Sequence, residues 1–219
     1  MKINADFSKI AVVEPTEDAW VRSPESGVDR LMLDRIGDEV ARATSIVRYA
    51  PGSSFAEHSH AKGEEFLVLE GVFSDESGDY PAGTYVRNPP GSSHAPFSKE
   101  GCRIFVKLRQ FDPADSQQVV VDTSDQERWP ATWCGSYIFP LHEYKGEFVE
   151  MRRFAKGEEF PVGKWKGGTE ILVVSGSIEF EYKPLGAESW LRLPPGQRET
   201  LVALAPTILW IKTGHLDDL

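Results

Sequence analysis

The sequence has little cysteine. Cys102 and Cys134 are the only two in 219 residues and form no Cys-x-x-Cys pair. A disulfide framework is therefore not expected, and two buried, reduced thiols are. Long apolar runs are missing too: no stretch approaches the roughly eighteen residues that a membrane-spanning helix needs. The opening Met1–Lys9 carries no hydrophobic segment of the secretory kind, which points to a cytoplasmic protein with no membrane partner. Cations are outnumbered, 24 Lys and Arg against 34 Asp and Glu, for a net charge of −10 and a pI near 5.0. With no basic cluster, direct nucleic-acid binding is not expected. Nowhere does an apolar period of 3.6 persist, so helices are not expected either.

What is present suits β-structure. Hydrophobic residues make up 40% and charged residues 26%, with six Trp, twelve Phe and six Tyr for sheet packing and nineteen Gly and fifteen Pro for turns. Leu31–Asp34, Ala43–Tyr49, Glu64–Leu69, Gly83–Arg87 and Cys102–Leu108 read as strands bounded by turn signals. Trp20 is placed to anchor the turn-rich first 27 residues. The polar stretch 112–130 reads as a linker with a short strand at Val119–Val121.

The chain also repeats. A shift of 105 residues lays Gly52 and Phe55 on Gly157 and Phe160, and Glu65 and Gly71 on Glu170 and Gly176. The same shift lays Pro89 and Gly91 on Pro194 and Gly196, and Lys107 on Lys212. One constant offset across both halves implies duplication, with domains expected at 1–112 and 113–219.

Three of the five histidines fall between positions 58 and 94. His58 and His60 are two apart, so on a strand their imidazoles share a face. Ala61-Lys62-Gly63 is short enough to turn the chain, and Glu64 opens the next strand. Gly83–Arg87 leads through Pro89-Pro90-Gly91 to His94. His58, His60, Glu64 and His94 form a nitrogen and oxygen donor set that suits one divalent ion: zinc, iron, manganese, nickel or copper. Glu65 is the rival to Glu64, but alternation should turn Glu57 and Glu65 the other way. Glu64, Phe66 and Val68 share a face, which sets the ion beside an apolar wall. Four ligands around zinc would close the site, whereas six-coordinate iron, manganese or nickel would leave two positions open. His142 and His215 lie outside the pattern and read as surface or core residues. In the second half the four positions are Gly163, Trp165, Thr169 and Glu199. That half should hold no metal, with the Trp165 ring occupying the vacated space.

The spacing Gly52, His58, His60, Glu64, Gly71 resembles the first motif of the cupin superfamily. The spacing Gly83, Pro89, Gly91, His94, Ser98 resembles the second, with Ser98 standing where cupins usually carry Asn. The wording between them is similar to the ChrR-type cupins, over roughly residues 20–110. That subfamily includes the zinc-bearing C-terminal domain of ChrR anti-sigma factors and small metal-dependent dioxygenases. The resemblance implies an all-β fold of two cupin jelly-roll barrels in tandem, the first a ChrR-like metal cupin and the second degenerate. It implies Zn2+ on His58, His60, Glu64 and His94, with Fe2+, Mn2+ or Ni2+ as alternatives. The first function it implies is regulatory or sensing, with a protein partner. Those anti-sigma factors also carry a helical zinc domain ahead of the cupin, whereas here no His precedes His58 and no Cys precedes Cys102. The alternative is a dioxygenase acting on a small aromatic or diketone-like ligand in the first barrel. A homodimer is left open.

Overall fold

The computed structural model describes residues 1–131, 137–163 and 166–216. The expectations for Cys134 and for the Trp165 ring fall outside those residues. Among the described residues there are strands, turns and two single-turn 3-10 helices, Glu17–Ala19 and Gln126–Arg128, and no α-helix. The chain forms two compact units. Met1–Ala5 and Thr16–Asp125 make the first, and Asp6–Pro15 and Gln126–Leu219 the second.

In the first unit the main sheet runs Val28–Gly37, Ala41–Tyr49, Cys102–Leu108, Glu64–Asp75, Thr84–Asn88, Val119–Asp122, each antiparallel to its neighbour. Strand alternation sorts its residues. Val47, Tyr49, Phe66, Val68, Val86, Ile104 and Val106 join one apolar cluster with Phe73 and Tyr80. On the opposite side of the same strands, Glu65 stands directly between Arg87 and Lys107 in the ladder. All three are buried, so the charges need partners. Glu65 Oε2 accepts from Tyr85 Oη at 2.6 Å and from Arg87 at 2.9 Å, and Arg87 reaches Asp115 at 2.7 Å. The Arg87 guanidinium also lies 3.7 Å from the Phe111 ring centre, and Lys107 Nζ donates to Thr44 at 2.9 Å. The reach of Glu65 to this side is what alternation requires.

The second unit repeats this ladder by ladder. Val68 faces Ile104 in the first unit and Val173 faces Leu209 in the second, both 105 residues on. Val72 pairs with Pro81, and Ser177 with Gly186. Glu170 stands between Arg192 and Lys212, as Glu65 does between Arg87 and Lys107. The repeat extends to a tight turn. Gly71 and Gly176 both have positive φ, at 71° and 82°, and a Cβ on either would run into the carbonyl oxygen of Gly101 or Pro206.

The division of the chain differs from a cut at 112/113 in two places. The strand Ala11–Val13 pairs with Trp190–Leu193 in the second unit, while Val119–Asp122 pairs with Thr84–Asn88 in the first. Phe7 lies against Arg192 in the second unit as Phe111 lies against Arg87 in the first. Each sheet edge takes up a backbone strand from the segment that precedes the other repeat. Edge pairing by main-chain groups explains this, because an exposed ladder accepts a strand of almost any composition.

Candidate metal centre

Four short elements bring the donors together. The two-residue strand His58–Ser59 pairs with Ser93–His94, placing His58 directly opposite His94. The backbone N–H groups of His60 and Gly91 bond Ser92 and His60 carbonyls, which fastens the turn after His60 to the Pro89–Ser92 turn. Glu64 is the first residue of its strand. One donor atom from each of His58, His60, Glu64 and His94 lies within 4.8 Å of the others. His60, Glu64 and His94 are buried, and His58 is the accessible member.

Hydrogen bonds fix which nitrogen of each ring is available. His58 Nδ1 lies 3.0 Å from the Ala56 carbonyl, which can only accept, so Nδ1 carries the proton. His94 Nδ1 lies 3.2 Å from Asp75 Oδ2, again an acceptor. His60 Nδ1 lies 3.0 Å from Ser92 Oγ, whose own proton goes to the Pro89 carbonyl at 2.7 Å, so His60 Nδ1 donates as well. With Nδ1 of each ring so engaged, Nε2 is the nitrogen left to act as a ligand. His60 Nε2 and His94 Nε2 are buried without a hydrogen-bond partner, and each sits 3.4 Å from Glu64 Oε2. That is a separation two donors about 2.1 Å from one shared ion adopt. The same Glu64 oxygen accepts from Asn88 Nδ2 at 3.3 Å. Buried lone pairs with no donor to meet them are costly unless a cation satisfies them. The donor set thus fits a divalent metal.

The electrostatics agree. Burial lowers the pKa of His60 below the ordinary imidazole value; Glu64 opposes this, and His94 and His58 add to it. Burial, with Glu64 and Cys102 nearby, raises the Tyr49 hydroxyl well above its ordinary range, so it stays protonated. Burial likewise pushes the Cys102 thiol up to about 11, in keeping with a reduced and inert cysteine. Aromatic rings pack beneath the donors. Phe55 lies 6.1 Å from His58, Phe73 lies 5.9 Å from His94, and Phe66 and Phe73 are 4.7 Å apart, centre to centre.

The structure brings the four predicted candidates together and turns Glu65 to the other side of its strand, but sequence reasoning missed Asp75, Ser92 and Asn88, which bond three of the four. Those three come from 19, 32 and 24 residues away in sequence. Only the Ser-Ser before His94 hinted at a side chain able to cap a ring nitrogen. Ser98, at the usual Asn position, donates to the Val72 carbonyl at 2.7 Å and so ties two strands. His142 is buried, and His215 Nε2 lies 2.9 Å from Glu170, both away from the four donors. In the second unit Thr169 is buried and Glu199 accepts from Gln197 at 2.5 Å. Among the described residues the His58, His60, Glu64, His94 group is the only cluster of at least three metal-binding side chains found. Among the described residues no helix is long and apolar enough to cross a membrane.

Known proteins with this architecture are numerous. The protein Ylba from Escherichia coli superposes with a TM-score of 0.72 at 13% identity, over 96% of this chain and 93% of that one. Bacterial pirin YhhW from E. coli, solved in complex with nickel(II), gives 0.70 at 13%, over 94% and 98%. Salicylate 1,2-dioxygenase from Pseudoaminobacter salicylatoxidans gives 0.57 at 14%, over 78% and 67%. At these identities the likeness is one of fold. Among curated proteins no significant sequence match is found. The family model of the ChrR Cupin-like domain matches twice, over residues 8–112 and 116–217. The chain is a tandem member of the ChrR cupin-like family.

Proposed function

We propose that the first unit is a metal-responsive module that holds one divalent ion, zinc foremost, on His58, His60, Glu64 and His94, and that its output is regulatory, through a protein partner. The observation that carries this reading is the shared tautomer. Three rings with Nδ1 committed to acceptors leave Nε2 to act as the ligand, and two of these nitrogens are buried beside a carboxylate. A bound divalent ion would supply Lewis acidity and a fixed positive charge. The chain's own residues would hold it: Asn88 bonds Glu64, Ser92 bonds the His60 ring, and Phe55 and Phe73 pack beside the His58 and His94 rings. The packed rings Tyr49, Phe66, Phe73 and Tyr80 occupy the barrel interior, which supports a holding site over a substrate chamber.

A second reading rests on His58. Its accessibility leaves one side of the cluster open to a small molecule, as a dioxygenase acting on an aromatic or diketone-like compound would require. Elemental analysis of protein purified without added metal separates the two. About one equivalent of zinc with no oxygen uptake on a phenolic and diketone panel supports the module. Iron, manganese or nickel together with oxygen uptake transfers the assignment to the enzyme. Stripped protein that retains none of these ions when they are offered would refute both. A partner that co-purifies with the zinc-loaded protein and is lost on chelation would establish the regulatory output.

A further inference from the structure

The hairpin that carries Asp75 closes over the His94 strand. Asp75 ends the strand that Glu64 opens, and it pairs with Gly78 across a tight turn. Its side chain is almost fully buried, 7% exposed. One carboxylate oxygen, Oδ1, is held from two directions, by the Ser77 backbone N–H at 2.8 Å and the Tyr80 hydroxyl at 3.1 Å. The other, Oδ2, faces His94 Nδ1 at 3.2 Å. The next residue, Glu76, accepts the Ala95 backbone N–H at 3.0 Å, so the hairpin tip bonds the His94 ring and, separately, the backbone that follows it.

The second unit supplies an internal comparison. Its hairpin keeps the same register, with Phe180 opposite Lys183 where Asp75 is opposite Gly78. Yet Asp75 is replaced by Phe180, Tyr80 by Leu185 and Ser92 by Gln197, in the same unit where His94 is replaced by Glu199. The backbone of the hairpin survives duplication without its carboxylate. Asp75 therefore goes with the donor set and not with the fold of the hairpin. Carboxylates that bond the outer nitrogen of a ligating imidazole fix its tautomer and raise its basicity.

We infer that Asp75 is a positioning residue for the metal centre: its carboxylate, braced by Ser77 and Tyr80, locks His94 as the Nδ1–H tautomer and keeps Nε2 aimed at the ion. This rests on the metal reading above, but the tautomer is a property of the chain and can be read without metal. The test uses full-length protein labelled with 15N, in which long-range 1H–15N spectra report the protonated nitrogen of each imidazole. Zinc affinity is measured beside it by chelator competition. In the wild type His94 should show the Nδ1–H form before zinc is added. Asp75→Ala should lose that preference and bind zinc about 10- to 100-fold more weakly. Asp75→Asn, which keeps a neutral acceptor oxygen, should fall between the two. Glu76→Gln removes a neighbouring charge without touching the ring, and should leave the His94 tautomer in place and change affinity little. Dispersed amide spectra certify that each variant is folded. The inference is overturned if folded Asp75→Ala keeps both the wild-type tautomer and the wild-type affinity, or if Glu76→Gln weakens zinc as much as Asp75→Ala. A wild type that binds no zinc yet shows His94 switched by Asp75→Ala would retain the positioning role and remove the metal reading instead.

Discussion

Neighbouring glutamates on one strand have opposite tasks. Glu64 faces two imidazoles at 3.4 Å, while Glu65 is held by Tyr85 and Arg87 on the other side. Removing Glu65 leaves buried Arg87 and Lys107 without the carboxylate between them, so Glu65→Ala should cost about 3–5 kcal/mol of stability. Glu64→Gln should leave urea unfolding of the metal-free protein nearly unchanged and lower bound metal sharply. Comparing urea midpoints with metal content for the two variants checks both halves of the claim. A pH dependence follows from His60. Its folded-state pKa is lowered from 6.5, mainly by burial, so it contributes stability above the unfolded value that is lost as pH falls from about 6.5 toward the depressed folded value. The metal-free protein should therefore weaken in mildly acidic buffer, and loaded protein should release its ion over the same interval as protons compete for the imidazoles. Thermal melts and metal release between pH 7 and pH 5 would show it. The clustering of His58, His60, Glu64 and His94 could be read from the chain because fixed short spacings on strands dictate which side chains share a face. The outer partners could not. Asp75, Ser92 and Asn88 reach their targets through tertiary approach of segments 19 to 32 residues apart, and no local period encodes that.

Single turns keep the strands in register. At Gly71 the chain has a φ of 71° and its Cα faces the Gly101 carbonyl, so any side chain is opposed twice, by conformation and by contact. Gly71→Ala should destabilise by about 2 kcal/mol or more, since the left-handed conformation alone costs about 1–2 kcal/mol. It should also loosen the pairing of Cys102 with Gly71 that precedes the bulge at Arg103 and Ile104. Faster amide exchange along Cys102–Leu108 in that variant would record the loss. The turn glycine was visible in the sequence as a motif position and again at Gly176, one repeat later. The hydrogen-bonded clasp of Asp75 and Glu76 over His94 and Ala95 was not, because Ser-Asp-Glu-Ser-Gly reads only as a polar turn until its partner strand is in place.

Duplication was the strongest signal in the chain, and the ladders reproduce it at one constant offset. What duplication could not reveal is where residues 6–15 and 113–125 belong. Those segments are short, and they join a sheet edge through main-chain hydrogen bonds that leave little trace in side-chain pattern. The two units also diverge in chemistry while sharing a scaffold. The buried charged ladders Arg87–Glu65–Lys107 and Arg192–Glu170–Lys212 are both retained, which assigns them to the fold. Among the described residues the one candidate donor cluster and its hydrogen-bond partners lie in the first unit. Metal should accordingly act on one half of the molecule. A ligand that binds only the folded form stabilises it by about 4 kcal/mol when present at a thousandfold excess over Kd. That gain should be concentrated in the strands that carry the donors. Hydrogen exchange with and without zinc should show added protection at His58–Ser59, Glu64–Asp75 and Ser93–His94, and none in Tyr137–Tyr144 or Glu199–Ala203. His94→Ala should abolish the protection, and Glu199→Ala should leave both metal content and exchange as they were. Protection spread evenly over both units would mean that the ion is not held by the four donors of the first.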